Sequence, residues 1–317
     1  MAASGRVLAA APVGARKRGL SQTLGPDWQL AIPLVLPILF VMVGLIAFPF
    51  LSSMWYSLNA IRVGGPGHFV GLANYQSLLT GDLSDRFWNS VKISLIYTGG
   101  ALAVKFVIGM TTALILHQQL AARNWWRALV FIPWSIPSVV SAYTWKWMYD
   151  DVHGVINLKL EAWGIIHFPI LFLADIDLAL WAIMAAVVWR GTPFWTMTFL
   201  AGMQSIPTDM YDAAHIDGAS ALKSFFYITL PNLAPVIVVT TMLSGIWTAN
   251  EVQYVYLLTR GGPANATETF PMLALTLGVS NFDLGMGATV PLLMFPVFAV
   301  AIWFLTRRML SSGEAAR

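Results

Sequence analysis

The sequence predicts an all-α protein that crosses a membrane about six times. Hydrophobic residues make up 57% of the 317-residue chain, and charged residues make up only 10%. A soluble domain carries about 25% charged residues, so this chain has too few charges to cover a surface that faces water. A helix needs about 20 residues to cross a bilayer, and the chain has six apolar stretches of roughly this length. Composition and segment length therefore both indicate a polytopic membrane protein.

The predicted spans follow one another along the chain. They lie near residues 31–51, 91–116, 129–148, 178–203, 233–257 and 287–305. A seventh apolar run, residues 165–173, is too short to cross, and extending it backwards takes in Lys159 and Glu161. We expect this run to form a helix on the membrane surface. Prolines such as Pro133 and Pro137 interrupt several spans, either as hinges or as static kinks.

The distribution of lysine and arginine predicts the orientation of the bundle. With the N-terminus in the cytosol, the basic residues on the cytosolic side are Arg6, Arg16, Lys17, Arg18, Arg123, Arg127, Lys223, Arg307, Arg308 and Arg317. The connections on the outer side hold only Arg62, Arg86, Lys159 and Arg260. This bias satisfies the positive-inside rule and predicts that both termini are cytosolic. Residues 1–30 and 311–317 are then cytosolic tails that flank a transmembrane domain at residues 31–310.

Several residue types that carry chemistry are absent or scattered. The chain has no cysteine, which excludes disulfides, thiolate metal sites and thiol nucleophiles. Its five histidines show none of the spacings of a metal site, and no GxxxxGK[ST] phosphate loop is present. A net charge of +3 does not suggest a nucleic-acid partner. We therefore expect no catalytic residue, no metal and no cofactor in this chain.

The connection at residues 204–232 carries the strongest local signals. Pro207 suits the first position of a helix, and Gly218 is a natural stop, which predicts a helix of about 11 residues. The helix and its end would present Met210, Tyr211, Asp212, Ala213, Ala214, Asp217, Gly218 and Ala219. These signals alone fit an ordinary linker with a surface helix as well as a docking surface for another protein.

The combined pattern resembles the EAA loop of ABC-importer permeases, and most closely their carbohydrate-uptake branch. The matching segment is Asp212-Ala-Ala-x-x-Asp217-Gly218-Ala219, followed by Phe225, Phe226, Ile228, Leu230-Pro231 and Pro235. Asp212 departs from the family, which has glutamate there, so its charge is kept on a shorter side chain. Further similarity lies at Gly71-Leu72, Asn74-Tyr75, Asn89-Ser90, Trp247, Leu258-Thr259, Gly261-Gly262-Pro263 and Thr267. The resemblance covers roughly residues 30–310.

The resemblance implies a type I ABC importer transmembrane fold in the cell inner (plasma) membrane. The partners it implies are a second permease subunit, two ATPase subunits that bind ATP and Mg²⁺, and an extracellular or lipid-anchored sugar-binding protein. The EAA loop would contact an ATPase subunit, so the chain itself would be no enzyme. The implied substrate is a sugar, most closely a disaccharide such as trehalose or maltose. Glycerol-3-phosphate or another sugar derivative is the alternative.

Charged and polar residues inside the predicted spans are candidates for the substrate path, because charge there is costly. Arg190 and Glu251 lie within about 7 Å of each other in depth at 1.5 Å per residue. They either pair or line the path, and a structural pair or snorkelling to the interface is the alternative. The fifth span adds a cluster whose polar groups and ring faces suit a hexose, namely Trp247, Asn250, Glu251, Gln253 and Tyr254. The spacing predicts that positions 247, 250, 251 and 254 share one helix face. Packing against a partner permease would explain the same cluster, and Lys105 has no explanation from sequence.

Two other classes of protein could share some of these features, a secondary transporter or channel and a membrane-embedded enzyme. A secondary transporter or channel would have the same spans, but it would more naturally show inverted halves or a filter motif, and neither is visible. A membrane-embedded enzyme would need clustered histidine, aspartate or cysteine residues, and these are not found in the sequence. The permease interpretation accounts for the 204–232 loop, the charge bias and the missing phosphate loop together.

Overall fold

The computed structural model describes residues 28–314, and these residues form helices α1–α14 and one short hairpin. Residues 1–27 and 315–317 lie outside the described residues, and with them most of the first predicted tail and the last three residues of the second. The remaining parts of those tails, residues 28–30 and 311–314, continue the first and last helices. The chain divides into two units after Ser52.

The first unit contains one nearly continuous helical run. Its elements are α1 (Trp28–Met42), a π-helical turn (Val43–Ala47) and the start of α2 (Phe48–Ser57). From Pro33 to Ser57 the run is long and apolar enough to cross a membrane, and none of its apolar window is buried. The prediction at residues 31–51 therefore falls on a helical run that needs lipid or another protein around it.

The second unit holds the remaining elements. The first half comprises β1 (Asn59–Ala60), β2 (His68–Phe69), α3 (Ala73–Leu79), α4 (Ser84–His117), α5 (Arg123–Ser135), α6 (Ser138–Met148) and α7 (Val155–Ala162). The second half comprises α8 (Ala179–Gln204), α9 (Thr208–Ile216), α10 (Ala221–Ser224), α11 (Leu230–Ala249), α12 (Gln253–Leu258), α13 (Phe270–Leu275) and α14 (Leu284–Glu314). Strands β1 and β2 pair antiparallel. Two π-helical turns, Phe225–Thr229 and Thr276–Ser280, precede α11 and follow α13.

Helices α4 and α8 pack side by side and run parallel at the centre of this unit. At one end, Met110 and Leu116 of α4 share an apolar cluster with Phe199 and Met203 of α8. At the other end, Tyr97 of α4 packs in a second cluster with residues near the start of α8. The first cluster lies at the loop end, defined by residues 204–229, and the second lies towards the far end, defined by residues 258–269.

Helix α8 occupies the predicted 178–203 span without a break. It is not among the described helices that are apolar enough to cross a membrane by composition, which are Pro33–Ser57, Ser84–His117 and Ala221–Leu258, with α5 and α6 as a fourth if counted together. Sixteen of the 26 residues in α8 are buried. A helix that is surrounded by protein meets little lipid, so its sequence tolerates Arg190 and Thr192.

The predicted span at residues 129–148 falls on two helices, with the interruption at one of the prolines that the sequence singled out. The chain bends by 90° between α5 and α6. Pro137 disfavours a helical conformation at the preceding residue, and Ile136 is accordingly extended, with φ −74° and ψ 130°. The two helices therefore form a broken or re-entrant element rather than one rod.

The predicted span at residues 233–257 is also interrupted. Helix α11 ends at Ala249 and α12 begins at Gln253, which leaves residues 250–252 outside the helical ladder. Asn250 caps α11, because its side-chain nitrogen donates to the Ile246 carbonyl at 2.8 Å. Asn and Asp side chains commonly replace a missing backbone partner in this way. The helix break lies in the middle of the polar cluster that the sequence singled out.

Residues 165–173 form no helix, contrary to the expectation of a surface helix. Asn157 of α7 holds this segment instead, since its side-chain amide exchanges two 3.0 Å hydrogen bonds with the backbone N–H and C=O of Ile170. Asn157 is buried. A buried side chain that satisfies backbone groups lets the segment pack as a loop.

The far end of the unit is joined by contacts between α4 and the loop before α13. The guanidinium of Arg86 donates two 2.7 Å hydrogen bonds to the carboxylate of Glu268. Ser94 accepts a 2.8 Å hydrogen bond from the backbone N–H of Phe270. These contacts bridge about 180 residues of sequence and fix the loop beside α4. Helix α14 then contains the predicted 287–305 span.

Candidate functional site

The first candidate site is the coupling segment, defined here as residues 208–219. Helix α9 has nine residues rather than about 11, because Pro207 is the N-cap, with φ −58° and ψ 133°, and Asp217 is the C-cap. Gly218 has a φ of +75°, a conformation that glycine adopts at little cost. The N–H of Ala219 donates to the Ala214 carbonyl at 2.9 Å, which closes the helix end.

One side of the coupling segment is tied to the rest of the chain. The hydroxyl of Tyr211 lies 2.9 Å from that of Thr229 in the π-helical turn before α11. Tyr211 also packs against the loop-end apolar cluster, which contains Met203 and Leu233. Through this one side the segment therefore contacts both the end of α8 and the start of α11.

The other side of the coupling segment is exposed. Asp212, Ala213 and Asp217 face away from the chain, and Met210 is exposed beside them. Large apolar side chains nearby are also exposed, including Ile216 at 86% and Leu222 at 68%. A patch that combines apolar side chains, small alanines and carboxylates is typical of a surface that another protein covers.

The second candidate site is the central cavity, of about 80 Å³, which lies between α4, α8 and α11. The structure brings four sequence-predicted residues together in its lining, namely Arg190, Trp247, Glu251 and Tyr254. Asn250 and Gln253 are not among the lining residues. The side chain of Gln253 bonds to Ser138 of α6 instead. Because residues 250–252 leave the helix, positions 247, 250, 251 and 254 do not form the single helical face expected from their spacing.

Arg190 is not paired with Glu251, since no ion pair joins them within residues 28–314. The Nε of Arg190 donates instead to the carbonyl of Ile136 at 3.2 Å. Ile136 is the C-cap of α5, where the chain bends. The C-terminal end of a helix carries partial negative charge, so this contact both satisfies a freed carbonyl and balances the guanidinium.

Glu251 lies in the break between α11 and α12. Its Oε1 accepts a 2.7 Å hydrogen bond from the backbone N–H of Gln253, the first residue of α12. Trp247 lies one turn earlier and contacts Phe194 of α8, with 5.1 Å between ring centroids. Tyr254 is almost fully buried and donates a 2.7 Å hydrogen bond to Ser141 of α6. Tyr254 thus joins α12 to α6 at the edge of the cavity.

Lys105 is the lining residue that the sequence did not explain. Its side chain is 3% exposed, and its Nζ donates to Thr248 Oγ1 at 3.0 Å. The stem of Lys105 passes directly over Gly191, where a Cβ would lie 2.7 Å from Lys105 Cε. The signal available in the sequence was only a lysine deep in an apolar span. Its partners are 86 and 143 residues away.

The sequence of this chain is similar to those of known membrane transport proteins. Residues 105–309 match the family described as binding-protein-dependent transport system inner membrane component. The trehalose/maltose transport system permease protein MalF of Thermococcus litoralis is 37% identical over 84% of this chain and 89% of its own length. The trehalose transport system permease protein SugA of Mycobacterium tuberculosis is 30% identical over 86% of each chain.

A solved structure shows the same fold. A chain from a bacterial ABC transporter involved in the import of the acidic polysaccharide alginate matches with a TM-score of 0.77, over 92% of this chain and 98% of that one. Its sequence identity is 20%, so the likeness concerns the fold. The predicted type I importer fold is confirmed. This multi-pass membrane chain belongs to the binding-protein-dependent transport system inner membrane components, the permease subunits of ABC importers, which are not enzymes.

Proposed function

We propose that this chain forms half of the pathway of an ATP-driven sugar importer, and that the coupling segment transmits the action of a partner ATPase. The observation that carries the proposal is the two-sided coupling segment, anchored through Tyr211 and exposed at Asp212 and Ala213. A short helix that is anchored on one side and exposed on the other suits a surface to which a separate subunit binds. Movement of this helix would be transmitted directly to α8 and α11.

The partners follow from this role. They are a second permease subunit, two ATPase subunits that bind ATP and Mg²⁺, and an extracellular or lipid-anchored sugar-binding protein. The complex would lie in the cell inner (plasma) membrane with both termini of this chain in the cytosol. If this chain forms half of the pathway, a second subunit must line the other half. Trp247 at the cavity is 53% exposed, which supports this arrangement because a second subunit could cover it.

The proposed substrate is a disaccharide such as trehalose or maltose. Both curated relatives compared above are named for trehalose, and one is also named for maltose. Within this chain, Arg190, Trp247 and Glu251 offer a guanidinium, an indole face and a carboxylate to one cavity. Sugars need hydroxyl partners together with an apolar ring face, which this combination provides.

Sidedness of the coupling segment gives a direct test. Because the chain contains no cysteine, Ala213→Cys introduces a single thiol on the exposed face of α9. A membrane-impermeant thiol reagent should label it in inside-out vesicles and not in right-side-out vesicles. Thr80→Cys, at an exposed position near the start of α4, is the matched control and should show the opposite pattern. Labelling of Ala213→Cys from the outside would contradict the proposal.

Coupling is tested in the assembled transporter. Asp212→Ala should lower sugar-stimulated ATP hydrolysis and uptake together, and Asp212→Glu, which restores the carboxylate, should retain both. A cross-linker at Ala213→Cys should capture an ATPase subunit. Uptake assays with labelled trehalose, maltose and glycerol-3-phosphate then choose among the substrates. The coupling role of the segment would be refuted if Asp212→Ala kept normal sugar-stimulated ATP hydrolysis and uptake and if Ala213→Cys gave no cross-link to an ATPase subunit.

A further inference from the structure

We propose that Lys105 and Glu251 together bind sugar hydroxyls in the central cavity, with Lys105 donating hydrogen bonds to them and Glu251 accepting hydrogen bonds from them. The proposal rests on the proposed function, since it assigns specificity-determining residues within the same pathway. It also gives a role to Lys105, which the sequence left unexplained.

The charges around the cavity are the first step. Three ionisable side chains that carry charge line it, namely Lys105, Arg190 and Glu251. Arg190 is directed at the carbonyl end of α5 through Ile136, and the partial negative charge of that helix end, about half a unit, offsets part of its charge. Lys105 and Glu251 are then the ammonium and the carboxylate of the lining that lie near one another on α4 and beside α11.

The hydrogen-bonding capacity of the two residues is the second step. An ammonium has three N–H donors, and Lys105 uses one of them on Thr248 within residues 28–314. A carboxylate has two acceptor oxygens, and Oε1 of Glu251 accepts from the Gln253 N–H. Donors and acceptors thus both remain for a ligand. A hydroxyl group donates and accepts, whereas a carboxylate or phosphate anion mainly accepts.

The placement of Lys105 is the third step. Gly191 leaves the space through which the lysine stem crosses α8, because a Cβ there would lie 2.7 Å from Cε and 3.0 Å from Nζ. The ammonium therefore reaches α11 at Thr248, three residues before Glu251. Trp247, in the same lining, offers a ring face on which an apolar side of a sugar can stack.

The size of the cavity is the fourth step. Its volume of about 80 Å³ is well below the about 300 Å³ at the lower end of small-molecule pockets. A whole sugar ring therefore enters only after α8 and the α11–α12 break move apart. Transport kinetics and cavity electrostatics are accordingly better measurements than equilibrium binding to this conformation.

The test measures the electrostatic potential of the cavity in the complete transporter. Trp134 lines the cavity and is 42% exposed, so Trp134→Cys places the single thiol of the chain there. Its reaction rates with a cationic and an anionic methanethiosulfonate reagent of similar size give an anion-to-cation ratio. Glu251→Gln should raise this ratio at least tenfold and Lys105→Gln should lower it at least tenfold, because a unit charge within a few ångströms dominates a poorly solvated site.

Controls and transport complete the design. When the thiol is placed at Thr80→Cys, far from the cavity, neither Glu251→Gln nor Lys105→Gln should change the anion-to-cation ratio of the reaction rates. In the transporter without the added cysteine, Lys105→Gln and Glu251→Gln should each raise the KM for the sugar at least tenfold, and Glu251→Asp should restore most of the affinity lost in Glu251→Gln. Unchanged reagent ratios at position 134 would overturn the proposal, and so would unchanged KM values in a transporter that imports sugar. Shifted ratios in a protein that imports no sugar would refute the proposed function instead.

Discussion

Replacing Gly109 by alanine should separate α4 from α8 and destabilise the protein. A Cβ at position 109 would lie 2.6 Å from the Cβ of Trp195 and 3.4 Å from the backbone nitrogen of Thr196. Ordinary carbon contacts are about 3.5–4.0 Å, so the new methyl group would intrude by about 1 Å. Trp195 is fully buried, with edge-on contacts to Phe106 and Phe199, and it has no space into which to move.

The magnitude is obtained by comparison with Gly99 on the same helix. A Cβ at Gly99 meets nothing within 4 Å. Both substitutions gain the same helix propensity, about 0.5–1 kcal/mol, and only Gly109→Ala adds overpacking, at about 1–3 kcal/mol. The difference between the two variants therefore isolates the packing cost. It corresponds to a Tm for Gly109→Ala roughly 2–12 °C below that of Gly99→Ala.

The assay is thermal unfolding of the detergent-purified transporter, followed by the loss of monodisperse protein on heating. Wild type and both variants are measured in the same detergent and at the same protein concentration. If Gly109→Ala melts at or above the temperature of Gly99→Ala, the close approach of α4 and α8 at this position is wrong.

Three further outcomes are expected. Arg86→Ala leaves the almost fully buried carboxylate of Glu268 unpaired and should cost about 3–5 kcal/mol. Glu268→Gln should cost less, and equal Tm losses would contradict this order. Tyr211→Phe removes one hydrogen bond and should cost about 0.5–1.5 kcal/mol, with weaker ATPase coupling as its functional readout. Asn157→Ala leaves the backbone of Ile170 without its partner, so protease should cut residues 163–173 faster than in wild type.

Local signals in the sequence were enough to place the coupling segment. Pro207 and Gly218 act on the backbone within one or two residues, and both bound α9 in the structure. The helix is two residues shorter than expected because Pro207 and Asp217 are its caps and not its first and last residues. Family resemblance, carried by Asp212 to Ala219, then identified the fold correctly.

Features that depend on distant residues were beyond the sequence. The prolines near residue 137 indicated an interruption, but the 90° bend also involves Arg190, which lies 54 residues away. The role of Lys105 depends on the missing side chain of Gly191 and on the hydroxyl of Thr248. The helix break at residues 250–252 likewise divided a polar cluster that spacing alone had placed on one continuous face.

The two apolar clusters along α4 and α8 share no residue, and a polar layer separates them. The far-end cluster reaches Ala101 and Val188, whereas the loop-end cluster begins near Met110 and Trp195. Lys105 lies between them at the level of the central cavity. The fully buried apolar contacts along these two parallel helices are therefore divided into an upper and a lower group, and the buried ammonium of Lys105 lies at the division.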